Sequence, residues 1–162
     1  MMAIERILVP VDFSRPSLRA LDAAVEFSRP YDAQLIIMFV VEPGTYGSPL
    51  LVSDPEVLAE KQRRAAEGKL SQLERRLRKR DVNCRTLIQF GIAYQAIIET
   101  AKRVRADLIV IATHGRTGLA HALIGSVAER VVRTASCPVL TIRALAQPQR
   151  RADNRRRQSP GS

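Results

Sequence analysis

Apolar residues fall into five short continuous runs, separated by stretches in which they recur every three or four positions. The runs are 6–11, 35–41, 83–90, 108–111 and 139–142, rich in Val, Ile and Leu, as strands covered on both faces would be. Between them, Leu18, Leu21 and Val25, then Ala66, Leu70, Leu73 and Leu77, then Ala93, Ala96, Ile97, Ala101 and Val104 fall on helical stripes. Residues 127–135 make a last helix. Ser14 or Ser17 can cap the first helix, which should end near Arg29-Pro30. Ser53-Asp54-Pro55-Glu56 carries a capping box for a long helix reaching about Arg80, and Ser126 with Glu129 forms another.

Strands alternating with helices predict an α/β fold: a parallel sheet with right-handed crossovers and helices on both faces. Ligands of such sheets bind beyond the carboxyl ends of the strands, where the strand order reverses. Asp12, residues 40–42, Gly91 and residues 112–115 occupy those ends.

The length of 162 residues suits one domain, taken as 1–145, followed by a basic segment, 146–162. That segment is rich in Gln, Pro, Arg and Ser and is expected to be disordered. Glycines and prolines break all periodicity over 42–49, which reads as a mobile loop. The net charge of +10 is unevenly spread. Residues 61–85 hold ten basic against three acidic residues, and 146–162 five against one, so the rest is near neutral. A solvated basic helix face accounts for the first of these. Nucleic acid would be held only nonspecifically, because aromatic residues make up 4% and are not interleaved with the charge. Cys84 and Cys137 lack redox or metal spacing and read as reduced, partly buried thiols. No apolar run reaches membrane-spanning length and the start lacks a signal-peptide core, so a cytoplasmic location is expected and no membrane partner.

The most informative stretch is 109–129. A β-branched run passes through two glycine-bearing segments into Gly125-Ser126 and an apolar helix. Such a helix aims unpaired N–H groups and the positive end of its dipole at one point, where a phosphate would sit well. The Gly-x-x-x-x-Gly-Lys-Ser/Thr and Gly-x-Gly-x-x-Gly loops are both absent, so a nucleotide site would be of another design. His114 and His121 have no neighbouring carboxylate in sequence, and no catalytic triad or metal-spaced cluster appears.

Thr113-His114-Gly115-Arg116-Thr117-Gly118, followed by Gly125-Ser126-Val127-Ala128-Glu129 and Ser136-Cys137-Pro138-Val139-Leu140, resembles the C-terminal signature of the universal stress protein family. Its ATP-binding branch carries Gly-x-x-Gly, nine residues, then Gly-Ser/Thr. Gly115, the interval 116–124 and Gly125-Ser126 match, while Ala112 replaces the first glycine. The resemblance implies an open five-stranded parallel sheet of order 3-2-1-4-5. It also implies an ATP site at Asp12, Val40, Ile111, Ala112, Gly115, Gly125, Ser126 and Val127, with Arg116 an added cation in the loop. Asp12 would meet ribose or hold Mg²⁺ through water, or else only cap the following helix. Val40 would meet adenine. The implied function is a cytoplasmic, stress-response regulator with at most slow ATP hydrolysis, homodimeric through 139–142. The alternative is a nucleotide-independent homodimeric interaction protein in which Ala112 has closed the site. A methyl at 112 matters only where the backbone needs the left-handed region, and an extended strand there leaves binding intact.

Overall fold

The computed structural model describes residues 3–42, 55–113 and 125–143. The chain runs β1 (Arg6–Pro10), α1 (Arg15–Ser28), a 3₁₀ turn (Arg29–Tyr31), β2 (Gln34–Val41), α2 (Pro55–Arg78) and β3 (Cys84–Phe90). It continues through α3 (Ala93–Val104), β4 (Leu108–Ala112), α4 (Ser126–Thr134) and β5 (Val139–Ile142). The strands form one five-stranded sheet of order β3-β2-β1-β4-β5, with every pair parallel. This is the architecture expected from the alternating pattern and from the family resemblance.

Strand pleating divides the core into two layers. Ile7, Val9, Leu35, Ile37 and Val110 face α1 and α2, meeting Leu21, Val25, Leu70 and Leu77. Leu8, Ile36, Met38, Ile109 and Ile111 face α3 and α4, meeting Ala96, Ile97, Ala128 and Val131. Ile7, Leu8, Leu35, Ile36, Ile37 and Ile109 are completely buried, each worth about 1.5–3 kcal/mol of transfer free energy. Burial on both faces explains why the strands read as unbroken apolar runs rather than alternating ones.

Polar groups set the ends of several elements. The Asp107 carboxylate accepts from the backbone N–H of Glu5 and Arg6, both at 2.9 Å, and so ties the start of β4 to that of β1. α1 gives way to the 3₁₀ turn at Arg29, close to the expected stop, and Asp32 closes that turn in the left-handed conformation. Asp81, three residues beyond α2, and Arg105, directly after α3, are likewise left-handed. Gly91, at φ 123°, leaves β3 through backbone space that suits glycine alone. The expected capping residue Ser53 and most of the expected mobile loop lie outside the described residues, as does the basic segment 146–162.

Candidate functional site

Strand order reverses between β1 and β4: chain-adjacent β2 and β3 lie to one side, β5 to the other. At this end of the sheet three helices begin, α1 after β1, α3 after β3 and α4 after β4, and their N-termini differ in how they are satisfied. At α1, Ser14 is the N-cap, and its hydroxyl accepts from Ser17 N–H at 3.3 Å. Asp12 braces that cap, its carboxylate accepting from Ser14 N–H at 2.9 Å and from the Ser14 hydroxyl at 2.5 Å. At α3 the N-cap is Ile92, which has no polar side chain, and Glu42 supplies one from the end of β2. Its carboxylate accepts from Ala93 N–H at 2.8 Å. At α4 the N-cap is Gly125, which makes no side-chain cap.

This corrects one expectation. Ser126 is not the N-cap of α4 and does not form a capping box with Glu129. It is the first residue of the helix, because extended Gly125 (φ −70°, ψ 152°) takes the capping position. The Glu129 backbone N–H donates to the Gly125 carbonyl, and its carboxylate lies 3.5 Å from Arg133. Ser126 is exposed at the helix mouth. Its hydroxyl need not give up a capping bond to meet a ligand. Gly125 is anchored to the exit of β4 by donating to the Thr113 carbonyl at 2.5 Å, and Thr113 N–H in turn donates to Ile142 at 3.0 Å.

Val40, Ile111 and Val127 lie in or against the same α3/α4 layer, so the ends of β2 and β4 and the start of α4 are brought together. Ala112 behaves otherwise. It is the last residue of β4, is absent from the positive-φ residues, and is buried in the opposite, α1/α2 layer. Its methyl group therefore fills core, and the strand conformation it adopts is ordinary for alanine. Gly115, Arg116, His114 and His121 lie outside the described residues.

One feature at this end had no signal in the residue pattern. Phe13, directly after Asp12, has φ 62°, an outlier for a bulky side chain. Its ring stacks on Phe39 at 5.3 Å, and the Lys69 ammonium from α2 sits 5.1 Å from its centroid. Glu42 was legible only as one of the residues at a strand end. Among the described residues no group of three His, Cys, Asp or Glu side chains converges as a metal site would require. Both cysteines are free, and burial pushes each thiol above its ordinary range, with the Glu74 carboxylate adding to this at Cys84 and that of Asp107 at Cys137. Neither has the environment of a nucleophile.

A doubly wound α/β sheet of this order, with α4 beginning at its switch point without a side-chain cap among the described residues, is of the class whose ligands bind beyond the carboxyl ends of the strands. A model of the universal stress protein family matches residues 3–143, and the chain belongs to that family. It is 32% identical over 139 residues to universal stress protein MJ0531 of Methanocaldococcus jannaschii, covering 86% of this chain and 82% of that one. Among solved structures it resembles universal stress protein UspA from Lactobacillus plantarum, with TM-score 0.79, 29% identity, and 88% and 100% of the two chains covered. A universal stress protein in complex with cAMP matches at TM-score 0.64 and 26% identity, covering 88% of this chain and 98% of that one. An Arabidopsis thaliana family protein with AMP bound matches at TM-score 0.63 and 25% identity, covering 88% and 93%. No helix among the described residues is long and apolar enough to cross a membrane.

Proposed function

We propose that this protein is a cytoplasmic stress-response regulator that binds an adenine nucleotide, as Mg-ATP, at the β1/β4 switch point, with at most slow hydrolysis. The observation that carries this reading is the contrast among helix N-termini. α1 and α3 are closed by the chain's own oxygens, whereas α4 begins at Gly125 with no side-chain cap and an exposed Ser126. The nucleotides bound by the two family structures support adenine as the base. In this reading Gly125, Ser126, Gly115 and Arg116 meet phosphates, and Val40, Ile111 and Val127 line the nucleoside. Asp12 faces ribose hydroxyls or water on Mg²⁺. Ala112 does not close the site, since its methyl belongs to the other layer.

Isothermal titration with Mg-ATP, ADP and AMP tests the site, alongside mass spectrometry of any small molecule carried through purification. Binding by the wild type, lost in a still-folded Gly125→Val variant, is the expected result; no heat with any of the three at millimolar ligand overturns it. The same reading makes the protein a homodimer through β5. That edge strand is half-buried throughout and exposes one row of backbone groups that a second copy can pair. Light scattering that returns a monomer mass at micromolar concentration removes the dimer.

A further inference from the structure

Apart from the isolated, exposed Lys61, the cations of α2 and of the turn after it divide into two sets that the sequence does not separate. Arg63 and Arg64 pair with Glu60, Arg63 also with Glu67, and Arg78 with Glu74, so these charges are neutralised along the helix. Lys69 is engaged with the Phe13 ring. Arg75, Arg76, Lys79 and Arg80 are all exposed and make no ion pair among the described residues. They lie within six consecutive residues, Arg75 and Arg76 in the last turn of α2 and Lys79 and Arg80 in the turn after it.

Local helix energetics favour cations at this end but leave a like-charge repulsion that nothing in the helix relieves. The helix dipole favours positive charge in the last turn by about 0.3–1 kcal/mol per group. Like charges at i,i+4, here Arg75 with Lys79 and Arg76 with Arg80, oppose this by about 0.2–0.5 kcal/mol per pair. A polyanion relieves that repulsion.

We propose that this cluster is a docking surface for the phosphodiester backbone of nucleic acid, bound without sequence preference at the end of the molecule opposite the strand-end site. Three of the four groups are guanidiniums, whose planar forks match phosphate oxygens bidentately. No large apolar side chain is exposed between residues 61 and 85. A protein partner needs apolar or aromatic anchors, and base recognition needs stacking platforms; a phosphate backbone needs neither. The outward face beside Arg75, Arg76 and Lys79 carries exposed Gly68, Ser71 and Gln72 and no carboxylate, whereas Arg80 shares a hollow with Asp32 and Asp81. The proposal is independent of the nucleotide reading.

The test is fluorescence anisotropy of a labelled DNA duplex of mixed sequence with the full chain, titrated across salt. Each phosphate neutralised contributes about −0.9 to the slope of log K against log salt, so four contacts contribute about −3.6. Between about 50 and 200 mM salt this corresponds to roughly a 150-fold loss of affinity assignable to the cluster. Arg75→Gln/Arg76→Gln/Lys79→Gln/Arg80→Gln should flatten the slope by about that amount, leaving the contribution of the arginines in 146–162. Arg63→Gln/Arg64→Gln, which removes cations already paired to Glu60, should change the slope far less per charge. Thermal unfolding of both variants checks that α2 is intact. Equal slopes for the two variants overturn the proposal, as does a wild type that does not bind duplex at low salt. Polyglutamate binding as tightly as duplex at the same ionic strength also overturns it, in favour of an acidic protein partner.

Discussion

Phe13 offers a test in which the sign of the result decides. Its left-handed backbone costs an L-residue with a Cβ about 1–2 kcal/mol relative to glycine. In the folded chain that cost is offset by the stack on Phe39, the Lys69 ammonium over the ring, and burial against the α1/α2 layer. Phe13→Ala keeps the strained backbone and removes all three. A fully buried Phe→Ala costs about 3–5 kcal/mol, and a half-buried ring scales this to about 1.5–2.5 kcal/mol. Phe13→Gly removes the same contacts but also the strain. Glycine in an ordinary position is less stable than alanine by about 0.5–1 kcal/mol, through unfolded-state entropy. At residue 13 the order should invert, with Phe13→Gly more stable than Phe13→Ala by about 0.5–1 kcal/mol. Urea unfolding followed by circular dichroism resolves that difference if both variants share the wild-type m-value. Glycine equal to or less stable than alanine refutes the strained turn at residue 13.

Two further outcomes follow from particular side chains. Ala112→Gly should cost about 1 kcal/mol, from lost burial and added unfolded-state freedom, and leave Mg-ATP affinity unchanged because the methyl lies in the α1/α2 layer; an affinity raised tenfold would show that it obstructs the ligand. The Glu60 carboxyl, hydrogen-bonded to Arg63 and Arg64, is held at about 2, below the ordinary 4.5. A depressed acid stabilises above its ordinary value and loses that contribution as pH falls from about 4.5 toward 2, and at this exposed site the loss is small. Carboxyl chemical shifts against pH should place the Glu60 midpoint well below 4.5, and a midpoint at 4.5 contradicts the pairing.

The fold was legible because its signals are local and repeated. Apolar runs of strand length mark strands buried on both faces, and the stripes Ala66-Leu70-Leu73-Leu77 and Ala96-Ile97-Ala101 are the helix faces that cover them. Element bounds came within a residue or two for the same reason. The start of α4 was misassigned by one residue because Ser-x-x-Glu is read from side-chain type, whereas the N-cap is fixed by backbone dihedrals that Gly125 adopts as readily as serine. The roles of Asp107, Glu42 and Lys69 were hidden for another reason. Asp107 bonds residues 101 and 102 positions away, Glu42 bonds one 51 away, and Lys69 reaches across from α2 to Phe13. No periodicity encodes such pairings; they exist only once the sheet order is set. Separating free from paired cations on α2 likewise needed side-chain positions, since composition counts Arg63 and Arg75 alike.

The two carboxylates at the strand ends do more than close helices. Asp12 and Glu42 place negative charge beside the N-termini of α1 and α3, where a phosphate would otherwise find donors and a favourable dipole. An anion approaching this end of the sheet is repelled from both, and among the described residues α4 alone of these three helices begins without a side-chain cap. In the proposed site, the groups that satisfy two helices direct an anion to the third, and leave the neighbourhood of Asp12 suited to hydroxyls or hydrated cations. That division of charge across one crevice matches a nucleotide with its phosphates at Gly125-Ser126 and its ribose near β1. Replacing Glu42 by glutamine would keep a cap on α3 while removing the repulsion. If charge steers the ligand, titration with inorganic phosphate should then show a second site that the wild type lacks; one site in both proteins refutes the steering.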